Sequence, residues 1–493
     1  MTEQREGQRV GEAASTALGE FQMYIDGSWV DAADGGLLDV VDPATETVVA
    51  RVANGGRADA EAAVAAARRA FDEGPWPRTP AAERATRLSA AAALLRDRAD
   101  ELARWETLEM GKLVGDGRGD MLRVADLLDY AGKLAVEHLA DQPITVPTAL
   151  VREPVGVVVG ICPWNFPLVL AAFKFASALA AGNVVIIKPA SISPLTALGM
   201  ARIFDEVGLP RGVFQVVIGP GRSVGDLLAT SPLVDMVTLT GSVEVGRHIM
   251  SQAAQTIKKV GLELGGKAPN CVFADADLEA ALAGVVFSAF GNSGQACCAG
   301  SRLLVERSIA DSFVAEVVRS AAALQVGPGL DPASEMGPLS SAEQLAVVER
   351  YVEIGLAEGA TIACGGKRIA GKGFFYEPTV FVDVDNKTRI AQEEIFGPVL
   401  VVIPFDTEEE AIRIANDTVF GLTAAVWTSD QAKAERYVKA VRAGTVFVNN
   451  TWACAPLGLP WGGYKQSGIG REIGDVGIEE FTELKAVIFA GAS

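Results

Sequence analysis

Between residues 155 and 255 the chain repeats one pattern four times: a short run rich in β-branched residues, then a stretch of helical length. Runs at 155–161, 184–188, 213–218 and 236–240 read as strands, and 167–181, 195–207, 222–229 and 243–255 as the helices that follow them. Parallel strands cannot be joined by a tight turn, so strands separated by helices imply a parallel sheet covered on both faces. The chain is therefore α/β, with a Rossmann-type sheet whose ligand belongs beyond the carboxyl ends of the strands.

The flanking regions extend this plan. Helical periodicity runs through 59–71 and 81–109, behind a first strand at 23–30. A second α/β block opens near Gly265, with strands at 270–273, 302–306, 399–404 and 445–449 and helices at 309–324 and 342–358. A chain of 493 residues exceeds what one core organises. We expect a flexible tail at 1–20, a cofactor-binding domain from 21–138 and 155–264, and a second α/β domain at 265–479. The Pro-punctuated segment 141–153 reads as a two-stranded excursion, and 482–489 as a hydrophobic strand. An exposed edge strand needs cover. Pairing of 482–489 with the excursion of another subunit would make 139–154 and 480–493 an oligomerisation arm; closure of a sheet within its own chain is equally open.

Composition narrows the classes. Hydrophobic residues at 49% and charged residues at 21% suit a large globular enzyme. A net charge of −19 disfavours binding to nucleic acid or anionic membranes. The polar N-terminus has no apolar core of a secretory signal, and no apolar run spans a bilayer; 166–181 comes nearest but contains Lys174. A cytoplasmic location is expected. The six cysteines, at 162, 271, 297, 298, 364 and 454, include no C-x-x-C pair, so neither a disulfide framework nor a metal site is expected. The two histidines, His138 and His248, leave little scope for imidazole chemistry.

The usual G-x-G-x-x-G is missing after the first parallel strand, which runs instead into Cys162-Pro163-Trp164-Asn165-Phe166-Pro167. Gly219-Pro220-Gly221 imitates it, with Gly225 one residue late, and a tight turn explains it as well. Thr240-Gly241-Ser242, with Gly246, closes a strand and opens a helix, where backbone N–H groups and the helix dipole can face an anion. A plain helix cap at Ser242 competes with that reading. Lys188 ends an apolar strand, placed either to donate to ribose hydroxyls or simply to reach water. Two further segments carry chemistry. In Leu262-Glu263-Leu264-Gly265-Gly266-Lys267 a carboxylate is enclosed by apolar residues and glycines just before a strand; burial would raise its pKa and suit it to general-base work, whereas a turn with an exposed acid is the bland alternative. Gly294-Gln295-Ala296-Cys297-Cys298-Ala299-Gly300 presents paired thiols, expected at a helix start, although most buried cysteines are inert.

These two segments together, with PWNFPL at 163–168, LTGS at 239–242, EEIFGPV at 393–399 and PWGGYKQSGIGRE at 460–472, resemble the aldehyde dehydrogenase superfamily over almost the whole chain. The resemblance implies NAD or NADP as cofactor, a small-molecule aldehyde as substrate and a homodimer or homotetramer. It makes Cys297 the nucleophile, Glu263 the base that activates the deacylating water, and Asn165 the amide that stabilises the oxyanion with the Cys297 N–H. Lys188 becomes a ribose ligand, Gly241 and Ser242 pyrophosphate contacts, and Gly221 a neighbour of the adenosine. Glu394 becomes an acceptor for the nicotinamide ribose with Phe396 beside it. Ile161, Trp164 and Leu264 complete the cofactor set, and Lys174 is implied to support the Asn165 region.

Departures from the family pattern bear on specificity. NAD-preferring members commonly carry Glu where Ser191 stands; a hydroxyl can donate to a 2′-phosphate that a carboxylate would repel, so NADP should be tolerated. The resemblance lines the substrate tunnel with Phe166, Leu170, Phe173, Trp452 and Trp461. Relatives using succinate semialdehyde have Arg where Phe173 stands, which favours an apolar or aromatic aldehyde. Phe166, Phe173 and Trp461 are similar to the aromatic box of betaine-aldehyde enzymes, left incomplete by Gly291, and a betaine- or amino-aldehyde is the second expectation. Glu263 argues against the acyl-CoA-forming relatives, and the lack of a histidine motif against a cysteine hydrolase.

Overall fold

The computed structural model describes residues 18–139, 148–454 and 456–489. Five parallel strands lie side by side in the order Lys259–Glu263, Met236–Thr240, Val157–Ile161, Val184–Lys188, Phe214–Val216. Chain order reverses between Val157–Ile161 and Met236–Thr240, which is where ligands bind in sheets of this kind. Almost every side chain in the three innermost strands is buried, as expected with helices on both faces. The strand ending at Glu263 is not foreseen. Its sequence KVGLE interrupts an apolar run with Lys259, Gly261 and Glu263, and so reads as a loop.

Local departures have local causes. The single strand expected at 23–30 is a hairpin, Met23–Ile25 against Ser28–Val30, turned at Asp26-Gly27 where both residues have positive φ. The long helix expected at 81–109 breaks at Arg98 into Ala81–Asp97 and Ala99–Met110. Residues 18–20 of the expected tail are ordered: Leu18 N–H donates to Val49, and Glu20–Phe21 pairs with Thr47–Ala53.

A second sheet has seven strands in the order Thr361–Cys364, Thr379–Val382, Val399–Phe405, Arg302–Glu306, Pro269–Val272, Thr423–Trp427, Thr445–Val448. All pairs are parallel except the first. The first sheet gains an edge strand, Gly468–Ile469, which comes from the far end of the chain and pairs antiparallel with Leu262 and Glu263.

The chain-end strand Thr482–Ile488 pairs antiparallel with Thr148–Pro154 of its own chain, from Thr482 opposite Pro154 to Ile488 opposite Thr148. Pairing with another subunit's excursion is thereby replaced by pairing within the chain. The ribbon leaves Leu150, Leu484, Ile488 and Phe489 exposed. Residues 140–147, the start of the expected two-stranded excursion, lie outside the described residues. Among the described residues no helix is long and apolar enough to cross a membrane.

Candidate active site

Opposite ends of the two sheets build one cavity. Three adjacent strands of the first sheet, ending at Ile161, Thr240 and Glu263, release Pro163, Trp164 and Asn165, then Gly241 and Ser242, then Leu264 from their carboxyl ends. Three adjacent strands of the second sheet, Pro269–Val272, Arg302–Glu306 and Val399–Phe405, are entered from loops bearing Gly265, Cys297, and Glu394 with Phe396. All these residues line the same space, together with Thr240 and Gln344.

Cys297 sits in a turn, not at a helix start. The helix Leu278–Phe290 passes into a tight turn, Gly291–Gly294, in which Asn292, Ser293 and Gly294 all have φ between +51° and +71°. Gly291, with ψ 137°, already leaves the helix, and the left-handed run that follows is strained for Ser293. Gly294 has no room for a side chain: a methyl group there would lie 2.1 Å from the Gly397 carbonyl. Hydrogen bonds hold the turn, from Ser293 Oγ to Gly337 O (2.8 Å) and from Ser340 N–H to Gln295 Oε1 (2.9 Å). Cys297 is part-exposed and Cys298 buried. The neighbouring Cys298 thiol, then burial, then the nearby Glu394 carboxylate hold the Cys297 thiol well above its ordinary pKa.

Asn165 is buried, and its Nδ2 donates to Gln295 O at 3.0 Å, two residues before Cys297. Asn292 Nδ2 clamps the same junction, donating to Asn165 O (3.1 Å) and Gln295 O (3.2 Å). Glu263 closes the strand Lys259–Glu263 and is 3% exposed, with neither carboxyl oxygen hydrogen-bonded. Burial first, then the Glu472 carboxylate, push its pKa well above the carboxylate range; the charge of Cys297 adds to this, and Lys174 opposes it. The Glu263 carboxyl lies against Gly462, where a methyl group would approach Oε1 to 2.8 Å. Beneath it, Lys174 Nζ donates to Glu472 Oε1 (2.6 Å) and Thr240 Oγ1 (2.7 Å). Its hydrogen bonds thus reach Glu472 and Thr240, not Asn165.

Glu394 leans over the glycine pair. Gly266 N–H donates to its Oε1 at 3.0 Å, and a methyl group on Gly265 would sit 2.0 Å from Oε2. Burial pushes the Glu394 carboxyl up to about 7, against the pull of Gly266 N–H and Lys267. Phe396 has φ +59°, strained for an aromatic residue, and packs edge-on to Trp164 at 5.3 Å between ring centroids. Gln344 holds this backbone, its Nε2 donating to Ile395 O (3.1 Å) and Phe396 O (2.8 Å). No sequence signal marks Gln344, which is an ordinary residue in the first turn of the helix Ala342–Ala357.

A second cavity on the first half is lined by Ile161, Lys188, Gly221 and Gly225, with Arg222, Asp226, Glu244 and His248 at its sides. Lys188 is buried, and its Nζ donates to Pro189 O at a long 3.4 Å. Desolvation pulls its pKa down to about 8. Ser191 does not line this cavity. Ser242 serves as helix cap, accepting from Val245 N–H at 3.3 Å, and also lines the first cavity, so the two readings of that residue coexist.

Of the expected tunnel residues, Phe166, Trp452 and Trp461 pack around Ala296, Cys298 and Ala299. Leu170 and Phe173 are buried within the large core of the first half. Phe166 meets Trp452 edge-on at 6.0 Å. Gly291 gives Trp452 its room, since a methyl group there would approach the indole to 3.1 Å. The space left by the missing side chain at 291 is thus occupied by Trp452.

Comparison with known proteins agrees with this geometry. The model of the aldehyde dehydrogenase family matches residues 29–487. The betaine aldehyde dehydrogenase of Bacillus subtilis (strain 168) is 46% identical over 473 residues, covering 94% of this chain and 96% of its own. The structure of an NAD-dependent aldehyde dehydrogenase from Sinorhizobium meliloti superposes with a TM-score of 0.94 at 41% identity, over 96% of this chain and 95% of its own. A betaine aldehyde dehydrogenase of Staphylococcus aureus, solved in complex with NAD+, gives 0.92 at 41% identity, over 96% and 95%. By sequence, fold and cavity alike, this chain belongs to the aldehyde dehydrogenase family.

Proposed function

We propose that the chain oxidises an aldehyde to a carboxylic acid with NAD, through a covalent adduct on Cys297. The observation that carries this reading is the shared cavity: a part-exposed thiol, a buried side-chain amide and the Glu394 carboxylate converge in it, with the unpaired Glu263 carboxyl close behind. The donors present suit a dinucleotide. Lys188 has N–H groups to spare, the helix Val243–Ala253 begins at Gly241-Ser242, and Glu394 Oε2 stands over glycines that a side chain would block.

The chemistry follows from the residues. Cys297 gives its proton to water as sulfur adds to the carbonyl. The tetrahedral oxyanion that forms is caught by Asn165 Nδ2 and the Cys297 N–H. When bound, the nicotinamide supplies the acceptor for the hydride that leaves the adduct carbon. Glu263, whose raised pKa suits it to act as base, then takes a proton from the water that attacks the thioester and passes it to the departing sulfur, releasing acid and thiol. The test is Cys297→Ala assayed by absorbance of reduced cofactor; undiminished activity overturns the assignment.

A second reading, a betaine aldehyde as substrate, is favoured by the names of the relatives and by Phe166, Trp452 and Trp461 beside the thiol loop. Its test compares betaine aldehyde with 3,3-dimethylbutanal, which has the same shape without the charge. A preference for the charged partner supports it, and a preference for the neutral one returns the choice to apolar or aromatic aldehydes. Ser191 in place of an acid supports use of NADP beside NAD, and strict NAD dependence in initial rates would remove that point. The first sheet serves as the cofactor domain, 265–479 as the catalytic domain, and the paired Thr148–Pro154 and Thr482–Ile488 ribbon, with its exposed leucines, as the arm of a cytoplasmic homodimer or homotetramer.

A further inference from the structure

One buried ionic cluster touches Phe166, the neighbour of Asn165, without belonging to the chemistry. Lys112 follows Gly111, the left-handed residue that ends the helix Ala99–Met110, and its side chain is 1% exposed. Its Nζ lies 2.5 Å from Glu106 Oε1 and 2.5 Å from Asp120 Oδ2. It also lies 4.1 Å from the centroid of the Phe166 ring. A buried cation so costly to desolvate is seldom the cheapest way to fill space, and an apolar side chain of equal volume would often be as stable. Its placement therefore needs another reason.

Phe166 supplies one. It precedes the helix Pro167–Ala180 and follows Asn165 directly. One ring contact is the Lys112 ammonium and another the Trp452 edge. Between them the ring has little freedom to turn, and the peptide joining it to Asn165 is held as well. The Lys112 backbone is wedged from the other side: a methyl group on Gly337 would come within 2.3 Å of Gly111 O, and Gly337 O accepts from Ser293 of the thiol loop. We infer that Lys112 is a positioning residue, whose ammonium, clamped by Glu106 and Asp120, fixes the Phe166 ring and through it the place of the Asn165 amide, which donates to Gln295 O in the thiol loop. This rests on the proposed role of Asn165.

The experiment measures kcat and KM for the aldehyde, and Kd for NAD, in Lys112→Met, Asn165→Ala and the double variant. A small misalignment of an oxyanion donor costs about ten- to a hundredfold in rate, so Lys112→Met should lower kcat by that factor and leave NAD affinity unchanged. In the Asn165→Ala background the same substitution should add almost nothing, because the group it aims is gone. Lys112→Arg, which can stack on the ring and pair with both carboxylates, should restore most of the rate. Equal losses in both backgrounds, or an unchanged kcat in Lys112→Met, overturn the inference. An Asn165→Ala enzyme with full kcat overturns the reading of Asn165 first, and this inference with it. Should Lys112→Met fail to fold, Glu106→Gln/Lys112→Met removes the cation together with a buried carboxylate, and the same comparison applies.

Discussion

The two sheets contribute to one cavity from opposite ends. The first obeys the rule for doubly wound sheets: its strand order reverses beside Val157–Ile161, and the residues after that strand and its neighbours face the cavity. The second offers the loops that enter its strands, so Cys297 and Glu394 stand at amino ends. The contrast is also electrostatic. The first half supplies hydrogen-bond donors, Asn165, Lys188 and a helix start, while the second supplies the sulfur and a carboxylate raised to about 7. Glu263 stands at the seam, on a first-sheet strand whose other neighbour, Gly468–Ile469, comes from the far end of the chain. One half thus presents donors, the other the sulfur and an acceptor.

That division can be broken by experiment. Cys297→Ala in the second half should abolish both hydride transfer and acid formation, down to background, in a continuous assay of reduced cofactor. Glu263→Gln should lower steady-state turnover by about 10²–10⁴ while leaving a rapid burst of reduced cofactor approaching one per active site. Loss of the burst together with turnover would place Glu263 in thiol activation as much as in deacylation. Asn165→Ala should cost about 10²–10³ in kcat with little change in aldehyde KM; a change confined to KM would make it a binding residue only. The smallest effect is expected at Glu394. Below its pKa of about 7 the carboxyl is protonated and loses its strength as an acceptor, so Kd for NAD should rise as pH falls through 7, by at most about tenfold per unit. Glu394→Gln should flatten that profile, and a profile left unchanged would assign the titration elsewhere.

The halves also differ in how far they could be read from residues. Val157–Ile161, Val184–Lys188 and Met236–Thr240 are legible because buried parallel strands are apolar throughout. Thr361–Cys364, Thr379–Val382 and Thr423–Trp427 are not anticipated, and length does not set them apart, since Pro269–Val272 and Arg302–Glu306 are as short and read as strands. Lys259–Glu263 escaped for the opposite reason, since its polar residues disguise a strand that carries a candidate base. The helix start expected at Cys297 is a turn, held through Gln295 by Ser340 and Asn165, partners that no local pattern announces. Gln344 and the second contact of Ser242 depend on partners distant in the chain.

Residue order alone determined the parallel-sheet class, a ligand place beyond the carboxyl ends of its strands, and the resemblance to the family, because alternation and motif spacing are properties of neighbours along the chain. Only the tertiary structure decided that Thr482–Ile488 turns back on its own chain, that Lys174 serves Glu472 and Thr240, that Leu170 and Phe173 lie in the core, and that an ammonium rests on Phe166. These are contacts between segments tens to hundreds of residues apart. Their energies depend on burial and orientation, which no local pattern encodes.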